Sequence, residues 1–196
     1  MGVTDRQRVV QRLKETFAWR ETPGGIFADL SGWWRDAEVL RLLGPALAGL
    51  HADPPGTPAP TVVAGIETRG LVLGPLTALH LGVGFVEIRK DHRTSGDPLR
   101  RDANDPMLRA ETPPEYQDGG LTLVAPRRLF GPGDRVLLVD EWIETGAQAN
   151  AVRRMVGESG AEWAGVAVIV DASESKVGER LGVRGLVRED DLDETA

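Results

Sequence analysis

The sequence predicts an α/β fold, a mostly parallel twisted sheet flanked by helices, on three observations. First, strand-length runs rich in Val, Ile and Leu recur with little polar alternation, as in TVVAGIE, RVLLVDE and EWAGVAVIVD, the pattern of strands covered on both faces. Second, helical stretches such as GLVLGPLTALHLG and GAQANAVRRMVGESG alternate with those runs, as parallel crossovers require. Third, 196 residues without an internal repeat suit one domain with a sizeable core.

The elements follow in order. TDRQRVVQRLKETFAW opens with Thr4 and Gln7 in capping-box spacing and predicts an amphipathic helix. PGGIFADLSG is turn-rich with one short apolar patch, and DAEVLRLLGPALAGL returns to helical spacing despite Pro45. HADPPGTPAP is a linker by composition. The core then reads strand TVVAGIE, helix GLVLGPLTALHLG, strand VGFVEIR and a long polar stretch. After it come strands LTLVA and RVLLVDE, helix GAQANAVRRMVGESG and strand EWAGVAVIVD. The acidic REDDLDETA is expected to fray. Two parts result: residues 1–60, with the N-terminal helices, and residues 61–196, the core, with a flexible loop or insertion at 91–114.

Charge and composition remove several classes of function. With 23 basic against 30 acidic residues the net charge is −7, which disfavours nonspecific binding to nucleic acid or an anionic membrane. No cysteine is present, so disulfides, thiol nucleophiles and cysteine-ligated zinc are excluded. No apolar run approaches a membrane span and the start lacks a secretory apolar region, so a cytoplasmic protein is expected. His51, His80 and His92 show no ligand spacing, and no metal-binding residue is assigned.

In an open parallel sheet, ligands sit beyond the carboxyl ends of the strands. Three motifs fall there. In VLLVDEWIETGAQA, a buried strand runs into Asp140 and Glu141, and a small-residue turn leads into a helix. Neighbouring strand residues point different ways, so the two acids present oxygens across a ledge that suits vicinal sugar hydroxyls or a cation. The turn, Glu144 to Gln148, offers backbone N–H groups at a helix N-terminus, an anion site to which Thr145 and Gln148 add side-chain donors. The blander alternative is that the acids only complement the helix dipole. In the second motif, IETRGLVLGP, Arg69 sits beside a glycine turn at a helix start and suits a diphosphate, with Arg89 and Lys90 adding charge from the next strand. A surface ion pair and a tight packing turn would explain the same residues. The third, PPEYQDGG, puts Glu115 and Tyr116 ahead of a strand, where a solvated loop acid is the plain alternative.

VLLVDEWIETGAQA resembles the phosphoribosyl-pyrophosphate (PRPP) motif of the type I phosphoribosyltransferases. The resemblance extends over residues 22 to 171, in the order of the adenine phosphoribosyltransferase family, whose RGF-x-x-GP turn and strand ending IRK look like residues 64–90. It implies the type I phosphoribosyltransferase fold with a small N-terminal hood. It also implies transfer of ribose 5-phosphate from PRPP to a purine or purine-like base, adenine or a 6-oxopurine, with release of pyrophosphate.

Carried over, Asp140 and Glu141 hold the ribose hydroxyls, and Thr145, Gly146, Ala147 and Gln148 hold the 5′-phosphate. Thr68 and Arg69, with Arg89 and Lys90, hold pyrophosphate. Glu115 handles the base proton, Glu144 reads the base, and Ile26 and Phe27 cover it. Mg²⁺ would be bound mainly through PRPP, and a homodimer is expected from the family. Trp33 and Trp34 are assigned to the core or a subunit contact ahead of the base site.

The chain departs from the family pattern in places. Glu141 replaces the usual second Asp, Ala147 a glycine and Gln148 a hydroxyl. Glu144 stands where adenine enzymes carry a small residue and 6-oxopurine enzymes an acid, and Ala28 replaces a common Lys or Arg. The altered phosphate turn keeps a non-catalytic PRPP or nucleotide sensor as the alternative. A dinucleotide-dependent oxidoreductase lacks its G-x-G-x-x-G turn.

Overall fold

The computed structural model describes residues 4–52, 56–91, 106–115 and 120–193. Helix α1 (Asp5–Thr16) starts at the expected capping box, with the Thr4 hydroxyl accepting from the Gln7 N–H. Strands β1 (Ala18–Thr22) and β2 (Gly25–Asp29) form a separate antiparallel hairpin with Trp19 opposite Ala28. Helices α2 (Ser31–Arg35) and α3 (Ala37–His51) follow, α3 capped by Asp36, whose carboxylate accepts from the Glu38 and Val39 N–H groups.

Seven strands form the main sheet: β3 (Val62–Ile66), β4 (Gly84–Lys90), β5 (Met107–Glu111), β6 (Thr122–Pro126), β7 (Arg135–Ile143), β8 (Glu162–Asp171) and β9 (Val183–Arg188). The spatial order is β5-β6-β4-β3-β7-β8-β9. The five strands from β4 to β9 run parallel, and β5 and β6 add an antiparallel edge. Helices α4 (Gly70–Leu81), α5 (Ala147–Ser159), α6 (Ser175–Leu181) and α7 (Asp190–Asp193) complete the chain.

Strand β7 shows how the layers form. Val136 and Leu138 pack with Val152, Met155 and Val156 of α5, whereas Leu137 and Val139 pack with Leu13 of α1 and Leu43 and Leu47 of α3. Period-two alternation thus sends one strand's side chains into two cores, each dry enough to need an unbroken apolar sequence. The N-terminal helices therefore share their core with the sheet.

The structure corrects four local expectations. The segment read as turn-rich holds the turn and second strand of the β1–β2 hairpin, and β1 takes Ala18 and Trp19 from the stretch read as helix; strands this short, with a single apolar pair, carry too little alternation to announce themselves. Part of the stretch expected as loop is β5, where Leu108 and Ala110 are buried and Arg109 and Glu111 are exposed. Residues 92–105 of that stretch lie outside the described residues. Of the tail expected to fray, Arg188 ends β9 and Asp190–Asp193 form α7, with Leu192 fully buried, while residues 194–196 lie outside the described residues. Finally, β7 continues through Trp142 and Ile143, so the acid pair lies within the strand instead of at its end.

Candidate active site

At the carboxyl ends of β3, β4 and β7, two adjoining clefts of about 340 and 390 Å³ open over the sheet. The first contains the acid pair and the whole turn from Glu144 to Gln148. The second contains Glu67 and Thr68, and both share Arg69, Lys90, Asp140, Glu141, Trp142 and Gln148. Side chains from three separate sequence motifs thus meet at one place.

The turn is built around Gly146. Its φ is +69°, and a Cβ there would sit 2.8 Å from both Leu181 Cδ1 and Val177 Cγ1 of α6, so only glycine fits. Helix α5 begins at the next residue with no side-chain cap. The positive end of the helix dipole therefore faces the cleft, a setting that favours negative charge. The Thr145 hydroxyl accepts from the Ala147 N–H at 3.3 Å, which holds the turn closed on itself. Glu144 and Thr145 are exposed, and Ala147 and Gln148 half-buried.

The cationic side depends on a second backbone constraint. A Cβ on Gly65 would lie 2.1 Å from the Gly70 carbonyl oxygen, so the end of β3 and the start of α4 touch main chain to main chain. That contact tightens the Glu67–Arg69 turn. From it Arg69 reaches across to β7, its guanidinium donating to Glu141 Oε1 at 2.8 Å. On the neighbouring strand, the Lys90 N–H donates to Glu67 Oε2 at 3.0 Å, which fixes the end of β4 against the same turn.

The two acids are electrostatically unlike. Burial is the main influence on Asp140, followed by the adjacent Glu141 carboxyl, and together they hold its pKa well above the usual carboxylate range. Burial also pushes Glu141 upward, but hydrogen bonds from Asp140 and Arg69 outweigh it and leave Glu141 below its ordinary value. In the free protein the pair therefore favours one negative charge, on Glu141, with Arg69 against it. A cationic or hydroxyl-rich ligand would redistribute that charge.

Not every expected residue joins the clefts. Arg89 lines neither cleft: strand alternation turns it away from Lys90, and it pairs with Glu87, Nε to Oε1 at 3.0 Å and Nη2 to Oε2 at 3.2 Å. Ile26 and Phe27 stand on β2, 67% and 48% exposed, and line neither cleft. Glu115 is exposed and also outside both, while Tyr116 lies outside the described residues. Trp33 is fully buried and donates to the Leu13 carbonyl, a core role.

Besides apolar lining residues, two cleft residues were missed by sequence reasoning. Glu67 directly precedes the Thr68–Arg69 pair and organises Lys90. Trp142 follows Glu141 immediately, and its place in the motif was the available signal. Its ring lies 6.4 Å from Phe17, 29° from parallel, and 6.1 Å from Trp19, edge-on at 74°.

A sugar-sized ledge of acids, a cationic turn and an uncapped helix N-terminus on a parallel sheet define an α/β protein built for a phosphorylated sugar. The sequence pattern of the phosphoribosyl transferase domain matches residues 38–191. The chain is 35% identical to an adenine phosphoribosyltransferase of Albidiferax ferrireducens over 84% of its own length and 78% of the relative's. To that of an Acidovorax species it is 34% identical, over 95% and 92%. Among solved structures, adenine phosphoribosyltransferase from Rhodothermus marinus superposes with a TM-score of 0.71 at 28% identity, covering 92% of this chain and 98% of that one. The chain belongs to the type I phosphoribosyltransferase family, on its adenine phosphoribosyltransferase branch.

Proposed function

We propose that the protein transfers ribose 5-phosphate from PRPP to a ring nitrogen of a purine-type base and releases pyrophosphate. The observation that carries this is the convergence of Arg69, Lys90, Asp140, Glu141 and the uncapped turn before α5 on one cleft. In this reading Asp140 and Glu141 hold the ribose hydroxyls, and Thr145, Gly146, Ala147 and Gln148 hold the 5′-phosphate. Thr68, Arg69 and Lys90 take the diphosphate.

Departure of pyrophosphate leaves cationic character on the ribose ring. Fixed charges and positioning, not covalent attack, would then supply the rate. Substrate binding exchanges partners: the diphosphate takes Arg69, which frees Glu141 for the sugar.

Among the described residues no cluster of three acids or histidines could cage a metal ion. Two adjacent carboxylates with sugar and phosphate oxygens fit Mg²⁺, a hard cation that keeps few protein ligands. Bound with PRPP, the ion would neutralise diphosphate charge, and Asp140 and Glu141 are the residues that would face it.

The adenine phosphoribosyltransferase relatives favour adenine as the base. Glu144, exposed on the cleft rim, offers a carboxylate to an N7–H and makes 6-oxopurines the first competitors to test. Glu115 would manage the base proton, and Ile26 and Phe27 would cover the base from the hairpin. Salvage of preformed bases and a cytoplasmic location belong to the same reading. So does a homodimer, supported by Val72 and Leu79, apolar residues of α4 that are 47% and 80% exposed.

The test is pyrophosphate release from PRPP and Mg²⁺ with a panel of purine and pyrimidine bases. Release with adenine or a 6-oxopurine is expected. Tight PRPP binding without release for any base would overturn the enzyme and favour a sensor.

A further inference from the structure

We infer that the Arg69–Glu141 ion pair is a latch that closes the ligand-free site and makes its diphosphate and ribose halves bind cooperatively. The inference rests on the phosphoribosyltransferase reading and deepens it. Arg69 comes from the turn before α4 and Glu141 from β7, and their side chains meet Nη1 to Oε1 at 2.8 Å. Both residues line both clefts, whereas Glu67 and Thr68 line only the second and residues 144–147 only the first. The pair therefore stands on the boundary between the proposed diphosphate and sugar-phosphate subsites.

Each partner is the group that its own subsite needs. In the proposed reaction the diphosphate takes the Arg69 guanidinium and a ribose hydroxyl takes Glu141, and the contact between them occupies both. Of the two adjacent acids, Glu141 has the longer side chain, and it is the one that reaches Arg69. Asp140 Oδ1 accepts from the Glu141 N–H at 3.0 Å, which fixes the strand backbone under the pair. On the other side, the main-chain contact between Gly65 and Gly70 holds the turn that presents Arg69. Two rigid supports thus carry a contact made of two movable side chains. The Arg69 side chain is 49% exposed and that of Glu141 17%, so an incoming anion meets the arginine first.

Opening the pair costs the same whichever ligand arrives. The first ligand bears that cost and the second meets a site already open, so each raises the other's affinity by one shared factor. Solvent screens a half-exposed guanidinium, which sets the factor at about three- to tenfold. Glu141→Asp separates this from simple charge repulsion, because it keeps the negative charge beside the diphosphate and shortens the reach to Arg69 by a methylene. The test uses the full chain, as wild type, Glu141→Asp and Glu141→Gln, with the two halves of PRPP, ribose 5-phosphate and inorganic pyrophosphate. They are titrated by calorimetry in Mg²⁺ buffer, separately and together, with no base present, so turnover does not enter. Saturating pyrophosphate should tighten ribose 5-phosphate binding to wild type, and in Glu141→Asp that enhancement should fall by about threefold or more. Pyrophosphate alone should bind Glu141→Asp more tightly than wild type, by about the factor that the enhancement loses. Thermal midpoints show whether each variant folds, and Glu141→Gln, which keeps the length and removes the charge, gives the same reading if Glu141→Asp does not.

Equal enhancement in wild type and variant, or a pyrophosphate affinity that stays level or falls in the variant, would overturn the latch. So would a difference between the proteins that vanishes in EDTA, since the metal ion would then be the coupling element. The two proposals fail separately. A wild type that releases no pyrophosphate with any base, yet shows coupling that Glu141→Asp removes, would overturn catalysis and support the latch. Turnover without that coupling would do the reverse. A wild type that binds neither ligand at millimolar concentration would overturn the PRPP site and the latch together.

Discussion

The acid-bearing strand β7 and the β1–β2 hairpin both belong to the proposed site, yet they are built by opposite means. Strand β7 is central, flanked by β3 and β8, with Val136 and Val139 fully buried and Leu137 and Leu138 nearly so. The hairpin is a two-stranded sheet on its own, with its Ile26 and Phe27 in solvent. A two-stranded ribbon is marginal by itself. It borrows rigidity through the contacts of Trp19 and Phe17 with Trp142. The contrast teaches that groups needing sub-ångström placement sit on the buried sheet, while the part proposed to cover the base is attached through replaceable aromatic contacts.

Breaking the rigid side should give the largest effect. Gly65→Val forces a side chain into the Gly70 carbonyl, backbone against backbone. Overpacking of that kind should cost roughly 3 kcal/mol, lowering the thermal midpoint by about 6–12 °C and taking PRPP binding with it. A midpoint within a degree of wild type would show that α4 can slide away from β3.

Arg69→Ala removes the cation opposite Glu141. It should lower kcat/KM for PRPP by roughly ten- to a hundredfold, the usual worth of one charged hydrogen bond, equally for every base. Unequal losses among bases would move Arg69 from the diphosphate to base recognition. Glu144→Ala should do what Arg69→Ala does not, shifting preference between adenine and 6-oxopurines while leaving KM of PRPP alone.

The acid pair gives a pH test. Asp140 is held above its ordinary pKa, so its proton is bound more tightly in the folded state, and folded stability falls as pH rises from the ordinary carboxylate range through the raised value. Glu141 runs the other way: it is held below its ordinary pKa, and its contribution is present above that ordinary value and lost as pH falls through the lowered one. Asp140→Asn should therefore stabilise the ligand-free protein at neutral pH and flatten its pH dependence, while weakening PRPP use with every base. Thermal midpoints across the pH range would check this, and a destabilised Asp140→Asn would contradict it.

The smallest effect belongs to the hairpin. Ile26→Ser and Phe27→Ser should change stability by no more than about 0.5 kcal/mol, since both side chains are exposed. A base KM raised roughly tenfold or more in either variant would support the hairpin as the cover of the base.

Much of this was legible in the chain because it rests on local rules. Buried strands such as EWAGVAVIVD announce themselves by unbroken apolar composition, and the Thr4–Gln7 box and the glycine turn at 146 by residue type. The acids, Arg69, Lys90 and the turn 144–148 were found by motif, and they do meet. What was missed depends on contacts remote in sequence. β5 is a strand because β6 pairs with it, and Leu192 is buried because the fold places a core beneath it.

Arg89 and Lys90 make the division plain. As sequence they are two adjacent cations of equal promise. Strand alternation sets them on opposite faces, one beside Glu87 and the other in the cleft, and only the paired sheet says which is which. Composition and motif determined the family, the parallel sheet and the charged residues of the site. The tertiary structure alone decided that Trp142 reaches the cleft, that Phe17 and Trp19 hold it there, and that Glu141 carries the charge Asp140 resists. Burial, pairing and dielectric environment are set by residues distant along the chain, and no local pattern encodes them.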